Sequence, residues 1–555
     1  MIMYKIISSL DKALPNGKLD DYKVQDHLSV MRGETASFQL LYTNDGNEEL
    51  YPAFIKIRLS GSLAPYATLR EVAPVVATSI LRCNMDDDYI ISSPAAVPDI
   101  LMPMNYVDGT YALAKDLRTI WIDISVPPDV TLPDDKSLTV SLYYAATKFE
   151  GEKLIGDAKM SVEIIDCALP EGTLLFTQWF HHDCLSNYYG VKMWSDEHFS
   201  IIEKFVACAV KNGINTLLTP IITPPLDNIY DTRSFQLAEV ELTDGEYSFK
   251  FDRLGRWIDI CNKHSVKFFE IGHLFTQGGA KYATKVVGKV SGESVRLFPA
   301  DTPCDDPEYV KFLRALLTAL IRYMKERGED KRMIFHISDE PKAEDLETYG
   351  RARAAVWDLI SDYRVFDALS DYSFYEQGLV RTPVVLINRI ESFIGKGVED
   401  LWTYTCCAPA SGYSNRFIPM SLSRNRSLSL MLYKYDIKGF LHWGYNFYNN
   451  TGSAKSINPF IDCTSGGGFP AGDAFSVYPG EDGEPLESMR LVSFKQGLDD
   501  LRAFRLCEKL YSRDEVIEAL ESEIGGEIVP STYINDSDKM TALRERINQM
   551  IKAKL

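Results

Sequence analysis

Two carboxylates, Asp339 and Glu340, stand side by side between the apolar run Met333-Ile334-Phe335-His336-Ile337 and Pro341. Neighbouring carboxyl groups can approach within a few Å. Such a pair does not easily carry two full charges, so one member should hold its proton to higher pH. The chemistry this predicts is general acid catalysis beside a fixed anion. An apolar run that stops on charge before a long helical pattern reads as a buried strand feeding a catalytic loop, where α/β enzymes assemble their sites.

The elements that must position the pair follow from the pattern around it. Strand candidates at 177–182, 214–222, 266–274, 332–337, 365–369, 384–388, 401–406 and 439–445 alternate with helical patterns. Among the helices are 196–211, with Ser195 as N-cap and Gly213 as the closing glycine, then 307–327 and 341–362. Eight such alternations predict a (β/α)8 TIM-type barrel over 173–454. Residues 1–168 read differently. Runs such as Ala36–Tyr42 and Leu138–Tyr144 are rich in β-branched and aromatic residues. The turn clusters Thr43–Asn47 and Pro127–Asp129 punctuate them, which predicts an N-terminal β-sandwich. Residues 455–555 form a C-terminal region. Its first part is a Gly-, Pro- and Asp-rich loop to about 487, and its remainder is helical segment expected to pack on the barrel.

In a barrel of this kind the C-terminal strand ends form the catalytic mouth. Of eight histidines, five (His181, His182, His273, His336, His442) fall on the predicted ends, as do Trp179, Trp402 and Trp443 of seven tryptophans. Flat aromatic rings beside hydrogen-bonding groups suit a sugar, whose C–H face packs on the ring while its hydroxyls need polar partners. Each residue has a plainer reading. Asp339 could cap the next helix with Glu340 favouring its dipole. Glu270 and Asp371 could be solvated loop carboxylates, and Trp402 or Trp443 could be core. His181-His182 could suggest a metal, but adjacent strand residues point to opposite faces. The clustering is what favours a site.

Composition narrows the partners. The formal net charge is -19, which argues against duplex nucleic acid or an anionic membrane as partner. It leaves a small-molecule or oligosaccharide glycan open. No apolar run reaches the roughly 18 residues of a membrane span. The N-terminal segment Met1–Gly17 lacks a long apolar core and reads as a first strand. A cytoplasmic location is therefore the expectation, with a secreted origin open if a leader has been trimmed. The ten cysteines are scattered without a Cys-x-x-Cys pair and read as free thiols, so no metal and no cofactor is expected. Oligomeric state is not legible.

The segments Ser338-Asp339-Glu340-Pro341, Gly439-Phe440-Leu441-His442-Trp443-Gly444-Tyr445-Asn446, Gly472-Asp473, Tyr478-Pro479-Gly480 and Ser488-Met489-Arg490 together resemble glycoside hydrolase family 123. These are β-N-acetylgalactosaminidases that overlap the proteins grouped as domain of unknown function 4091. The resemblance runs roughly from Phe176 to Phe504; the N-terminal region agrees in architecture only. It implies a retaining exo-glycosidase acting on β-linked N-acetylgalactosamine by substrate-assisted catalysis, in which the 2-acetamido oxygen attacks the anomeric carbon. By position against the family motif, Asp339 would accept the acetamido N–H and stabilise the oxazolinium, while Glu340 would protonate the leaving oxygen and then activate water. Trp402, Tyr404, Trp443 and Tyr445 would wall the sugar pocket, and His181, His273 and Asn388 would meet its hydroxyls. Competing readings are a two-carboxylate glycosidase with Asp371 or Glu376 as nucleophile, a non-catalytic glycan-binding protein on the same fold, and a metal-dependent hydrolase.

Overall fold

The computed structural model describes residues 1–45, 53–77, 85–86, 88–104, 109–133, 135–145, 151–224, 226 and 235–555. The chain divides into two compact units, one of 1–172, 414–434 and 486–555, the other of 173–413 and 435–485.

The first unit holds two five-stranded sheets. In one, strands Ile2–Ser8, Thr35–Asn44, Arg118–Ser125, Ala67–Ala77 and Ala95–Pro103 lie side by side, all antiparallel. The other runs His27–Arg32, Lys153–Ala168, Ser137–Ala145, Ala53–Ser60 and Gly109–Ala112. Alternate residues Phe38, Leu40, Tyr42, Ile120, Ile122, Ile55, Ile57, Val140 and Leu142 form their common core. The strand Thr35–Asn44 is buried almost throughout, because its opposite face carries Leu41 into a second cluster with Ile7, Ala13 and Leu117. The Gly46-Asn47 end of the turn cluster and Cys83 lie outside the described residues. None of the nine described cysteines is in a disulfide with another of them.

The C-terminal region divides between the units. The loop 455–485 stays with the barrel, as a segment of short turns with only the strand Val477–Pro479. Helices Met489–Leu510, Arg513–Ile524 and Ser537–Lys552 group with the sandwich, together with Leu422–Arg426 and Leu428–Lys434. One charge pair accounts for part of this grouping. Arg490, at the start of the first helix, is fully buried and reaches Asp99 of the sandwich through Nε at 2.9 Å and Nη2 at 3.0 Å. Its Nη1 donates to the Arg416 carbonyl at 3.2 Å. A planar fork that meets a carboxylate twice fixes both partners in register.

In the second unit eight parallel strands close into a barrel. They are β1 (Leu175–Gln178), β2 (Thr216–Thr219), β3 (Phe268–Ile271), β4 (Met333–Phe335), β5 (Arg364–Leu369), β6 (Thr382–Leu386), β7 (Trp402–Tyr404) and β8 (Gly439–His442). Closure is set by the pairing of Leu175–Gln178 with Gly439–His442. The interior packs Ile334, Phe366, Ala368, Val384, Trp402, Tyr404 and Leu441. Gly439 lies opposite Trp402, and a Cβ there would fall inside the indole, so the small residue makes room for the large one. Helix Asp196–Lys211 starts on Ser195, whose hydroxyl accepts from His198 N. Helix Pro307–Glu326 starts on Asp306, which accepts from Glu308 N and Tyr309 N.

Three features depart from the sequence reading. The helix expected from Pro341 starts at Leu346, after a short 3-10 turn whose Lys342 N–H is taken by Asp345. Asp339 and Glu340 are therefore free of capping duty. The later modules are lean: β5 is followed by the single turn Ser373–Glu376, β6 by the 3-10 turn Ile387–Ser392, and the chain after β7 leaves for the first unit before returning as β8. A four-stranded sheet of Glu239–Thr243, Glu246–Lys250, Val287–Val290 and Glu293–Arg296 stands in the connections after β2 and β3. Its strands are too short to stand out from loop sequence. No described helix is long and apolar enough to cross a membrane.

Replacing Arg490 by methionine should lower stability by about 3 kcal/mol, because Asp99 is left buried without its fork. Chemical denaturation of the full chain checks this. An unchanged midpoint would show that the pair does not hold the helix to the sandwich.

Candidate active site

The floor of the site is a chain of buried polar groups beneath the Ser338–Glu340 turn. His336 follows directly on β4 and is inaccessible to solvent. Its Nε2 lies 2.8 Å from Oε1 of Glu270 on β3, and its Nδ1 lies 3.1 Å from Oδ1 of Asp367 on β5. Both carboxylates carry further donors. Glu270 accepts from Trp179 Nε1 at 2.7 Å and from the Thr177 hydroxyl. Asp367 accepts from Ile337 N at 3.0 Å, Ser338 N at 3.3 Å and the Tyr349 hydroxyl. Burial alone would depress the imidazole, but the hydrogen bonds and charges of Asp367 and Glu270 reverse that and raise it to about 9. His273 stacks on His336 at 4.1 Å between ring centres and meets Trp179 edge-on at 5.3 Å. Burial and the neighbouring His336 hold it well below the usual histidine range, so it is neutral.

Above this floor the chain turns. Glu340 adopts a left-handed backbone (φ 46), and its N–H donates to the Ala368 carbonyl at 2.9 Å. A non-glycine residue held there costs about 1–3 kcal/mol and is tolerated where surrounding contacts enforce it. Asp339 is 7% exposed, and its Oδ2 accepts from Gln277 Nε2 at 2.7 Å. The Gly278 N–H also donates to the Asp339 carbonyl at 2.8 Å. Glu340 is exposed, and its Oε1 accepts the Tyr404 hydroxyl at 2.6 Å. Burial, then the adjacent Glu340 charge, push Asp339 up to about 8, against the pull of the His336 cation and the Gln277 hydrogen bond. Burial and the charge of Glu340 raise the Tyr404 phenol well above its ordinary range, so it is a donor at neutral pH. The arrangement pairs a carboxyl that retains its proton with an exposed neighbour aligned by a phenol.

A second cluster gathers on the β1/β8 side. Trp443 Nε1 donates to Asp473 Oδ2 at 3.1 Å, and His442 Nε2 lies 3.3 Å from Oδ1 of the same carboxylate. His442 Nδ1 accepts from Gly444 N at 3.0 Å. Phe469 and Phe447 pack on Trp443 at 4.7 and 5.3 Å. His181 Nε2 donates to the Trp443 carbonyl at 3.0 Å, and burial lowers its ring to about 4. The two clusters meet at Cys406: its contact with Cys407, burial, and the charges of Asp473 and Glu340 push its thiol well up.

Of the residues anticipated from sequence, Asp339, Glu340 and Tyr404 come together directly, with His273 one layer beneath. His181 and Trp443 line the second cluster. Asn388 sits half-buried after β6, and its Oδ1 has no hydrogen-bond partner among the described residues. Two residues are not brought to the site. Trp402 is the first residue of β7, two below Tyr404, and fills the barrel interior with its Nε1 on Asp400 at 3.0 Å. Tyr445 points out of the barrel, donating to the Phe205 carbonyl of helix Asp196–Lys211 at 2.8 Å. Strand position explains both: a ring low on a strand serves the core, and the chain past β8 no longer follows strand alternation. His181 and His182 do not converge on a metal, since His182 packs on Trp257 and Phe180 at 4.6 and 4.9 Å. Asp371 is spent on its own turn, accepting from Ser373 N and Oγ, and Glu376 ends that turn in solvent. Sequence reasoning missed Gln277 and Asp367. Their signals were the Gly278-Gly279 pair closing a strand-end loop, and a lone acid inside an apolar strand.

Comparison with known proteins bears on this arrangement. The profile described as glycoside hydrolase 123, catalytic domain, matches residues 179–507. Among solved structures, a family 123 glycoside hydrolase from Clostridium perfringens, whose structural analysis addressed glycolipid glycan hydrolysis, superposes with a TM-score of 0.71. At 14% identity it covers 100% of this chain and 98% of that one, a likeness of fold. A β-D-glucuronidase from Dictyoglomus thermophilum (8% identity, 77% and 65% covered) and a putative β-galactosidase from Bacteroides fragilis (10% identity, 83% and 58% covered) reach only 0.28 and 0.33, too low to carry an argument. A search of curated proteins gave no match.

Tyr404→Phe removes the hydroxyl that aligns Glu340 without emptying the core. Turnover should fall about tenfold while stability changes by about 1 kcal/mol or less. Steady-state kinetics beside a melting curve read both; full activity would show that the phenol does not align the acid.

Proposed function

The chain belongs to glycoside hydrolase family 123, and from that premise we propose that it releases β-linked N-acetylgalactosamine with retention, by substrate-assisted catalysis at Asp339 and Glu340. As a member of that family it is a glycoside hydrolase acting on glycans. The observation that carries the finer reading is the adjacency of one buried and one exposed carboxylate on a single turn. Two acids on consecutive residues suit two jobs at one end of the sugar ring, protonating the leaving oxygen and holding the acetamido group. They suit less well a nucleophile and an acid on opposite faces of the bond. The acids nearest by fold are otherwise engaged: Glu270 and Asp367 by His336, Asp473 by Trp443 and His442, Asp371 by its own turn.

Glu340 is the exposed member, held by Tyr404, and takes the role of general acid and then base. Asp339 is the enclosed member and accepts the acetamido N–H. That contact turns the amide oxygen toward the anomeric carbon and steadies the positive charge of the oxazolinium. Trp443, with Phe447 and Phe469, supplies an aromatic wall, and His181 and Asn388 supply polar atoms for hydroxyls, with His273 backing the site from the layer beneath. Glycolipid headgroup glycans are the natural class to test, given what the Clostridium perfringens relative acts on.

Glu340→Gln should cut kcat/KM by about a hundredfold to ten-thousandfold on substrates with poor leaving groups, and far less on activated aryl glycosides. Asp339→Asn should cost about a thousandfold on every acetamido sugar. A thiazoline analogue of N-acetylgalactosamine should inhibit at low concentration; indifference to it, with normal turnover, would return the two-carboxylate reading. The active form of the pair carries one proton, which rests on Asp339 before substrate binds and passes to Glu340 when the acetamido N–H docks on Asp339. In the empty site Asp339 titrates at about 8, and above that pH the pair becomes two anions with no acid to give, so kcat/KM should fall. In acid both groups are protonated and Asp339 no longer accepts the amide, so a second fall should bound the profile.

A further inference from the structure

We propose that His336 is a positioning residue which, clamped between Glu270 and Asp367, supplies the buried positive charge that makes it easier for Asp339 to give up its proton and accept the acetamido N–H. This deepens the substrate-assisted reading and rests on it.

The geometry carries the argument. Both ring nitrogens of His336 face carboxylate oxygens, at 2.8 and 3.1 Å, and only the doubly protonated ring can donate at both. Neither carboxylate needs a proton of its own to complete its bonds. Glu270 already accepts from Trp179 and Thr177, and Asp367 from two backbone N–H groups and Tyr349. Burial raises Asp367, yet this donor set favours its ionised form. The ring cannot turn away: His273 stacks on one face at 4.1 Å, and Phe366 meets it edge-on at 4.4 Å. His336 stands three residues before Asp339 on the same strand-to-loop segment. The charged groups that act on Asp339 are Glu340 and Asp367, which disfavour its ionisation, and His336, which favours it. The other titratable neighbours, Tyr404 and Cys406, are both held well above their ordinary range and stay neutral, as does His273. His336 is thus the single cation acting on the pair among these groups. Its location beneath the turn also leaves it outside any hydrogen bond to substrate, which separates it from a catalytic acid or base.

The test is the pH profile of kcat/KM for wild type and His336→Gln, on a β-N-acetylgalactosaminide with a poor leaving group, for which the acid is needed and both limbs are visible. Loss of the cation makes each proton of the pair harder to remove, so both limbs should move to higher pH by about one unit. A role in packing alone would lower the rate without moving the limbs, and unmoved limbs would overturn the inference. Histidine-selective nitrogen-15 NMR of the unmodified protein gives a second reading that does not depend on the variant folding. One of the eight histidines should keep both ring protons at pH 8; eight neutral rings at that pH would also overturn it. Thiazoline inhibition of the wild type separates the two levels. Inhibition with unmoved limbs refutes the role of His336 alone, while no inhibition refutes the mechanism beneath it.

Discussion

A histidine held between two acids in a place without water is the constraint on which the rest of the barrel mouth depends. Taking three charges out of solvent is costly, and only dense hydrogen bonding makes it tolerable. That density is why Glu270 and Asp367 stand inside β3 and β5 and His336 directly after β4, why Thr177 and Trp179 turn inward from β1, and why Tyr349 reaches in from its helix. Four strands and one helix are thereby tied at a single point. The Ser338–Glu340 turn is anchored to the same point through the Ile337 and Ser338 amides. The position of the carboxylate pair is set from below, by groups that do not line the mouth themselves.

Much of this was legible in the residues and some was not. The placement of the carboxylate pair at a strand end could be read because an apolar run ending on two acids has few structural uses, and the next helix starts too late for either acid to cap it. The strand order could be read because the eight strands are short apolar runs set off from the chain around them, although their spacing shrinks sharply after β4. Gln277 could not, since an amide in a glycine-containing loop has no pattern of its own and gains meaning only when the loop folds over Asp339. Trp402 and Tyr445 failed for a related reason. A motif gives the order of residues along the chain but not their height on a strand. One or two positions decide whether an aromatic ring faces a ligand, the core or a helix.

The units are interleaved. The barrel gives up its chain after Tyr413 and takes it back at Tyr435, and the segment it lends, Ser414–Lys434, groups with the sandwich. The last strand therefore cannot complete the ring until that excursion has been synthesised, so β8 is the final closure of a fold whose other strands precede it. A fragment cut at the edge of the N-terminal sheets would part Asp99 from Arg490, so neither unit corresponds to a contiguous stretch of sequence.

The left-handed backbone at Glu340 has a consequence of its own. Glycine is the residue most at ease in that conformation. Selection for sturdiness alone would thus favour glycine at this position, and on the proposed mechanism the resulting protein would be hardier and inert. If Glu340 delivers the proton as proposed, a bulky acid on this unfavourable bend is a compromise in which a little robustness is surrendered locally for chemistry.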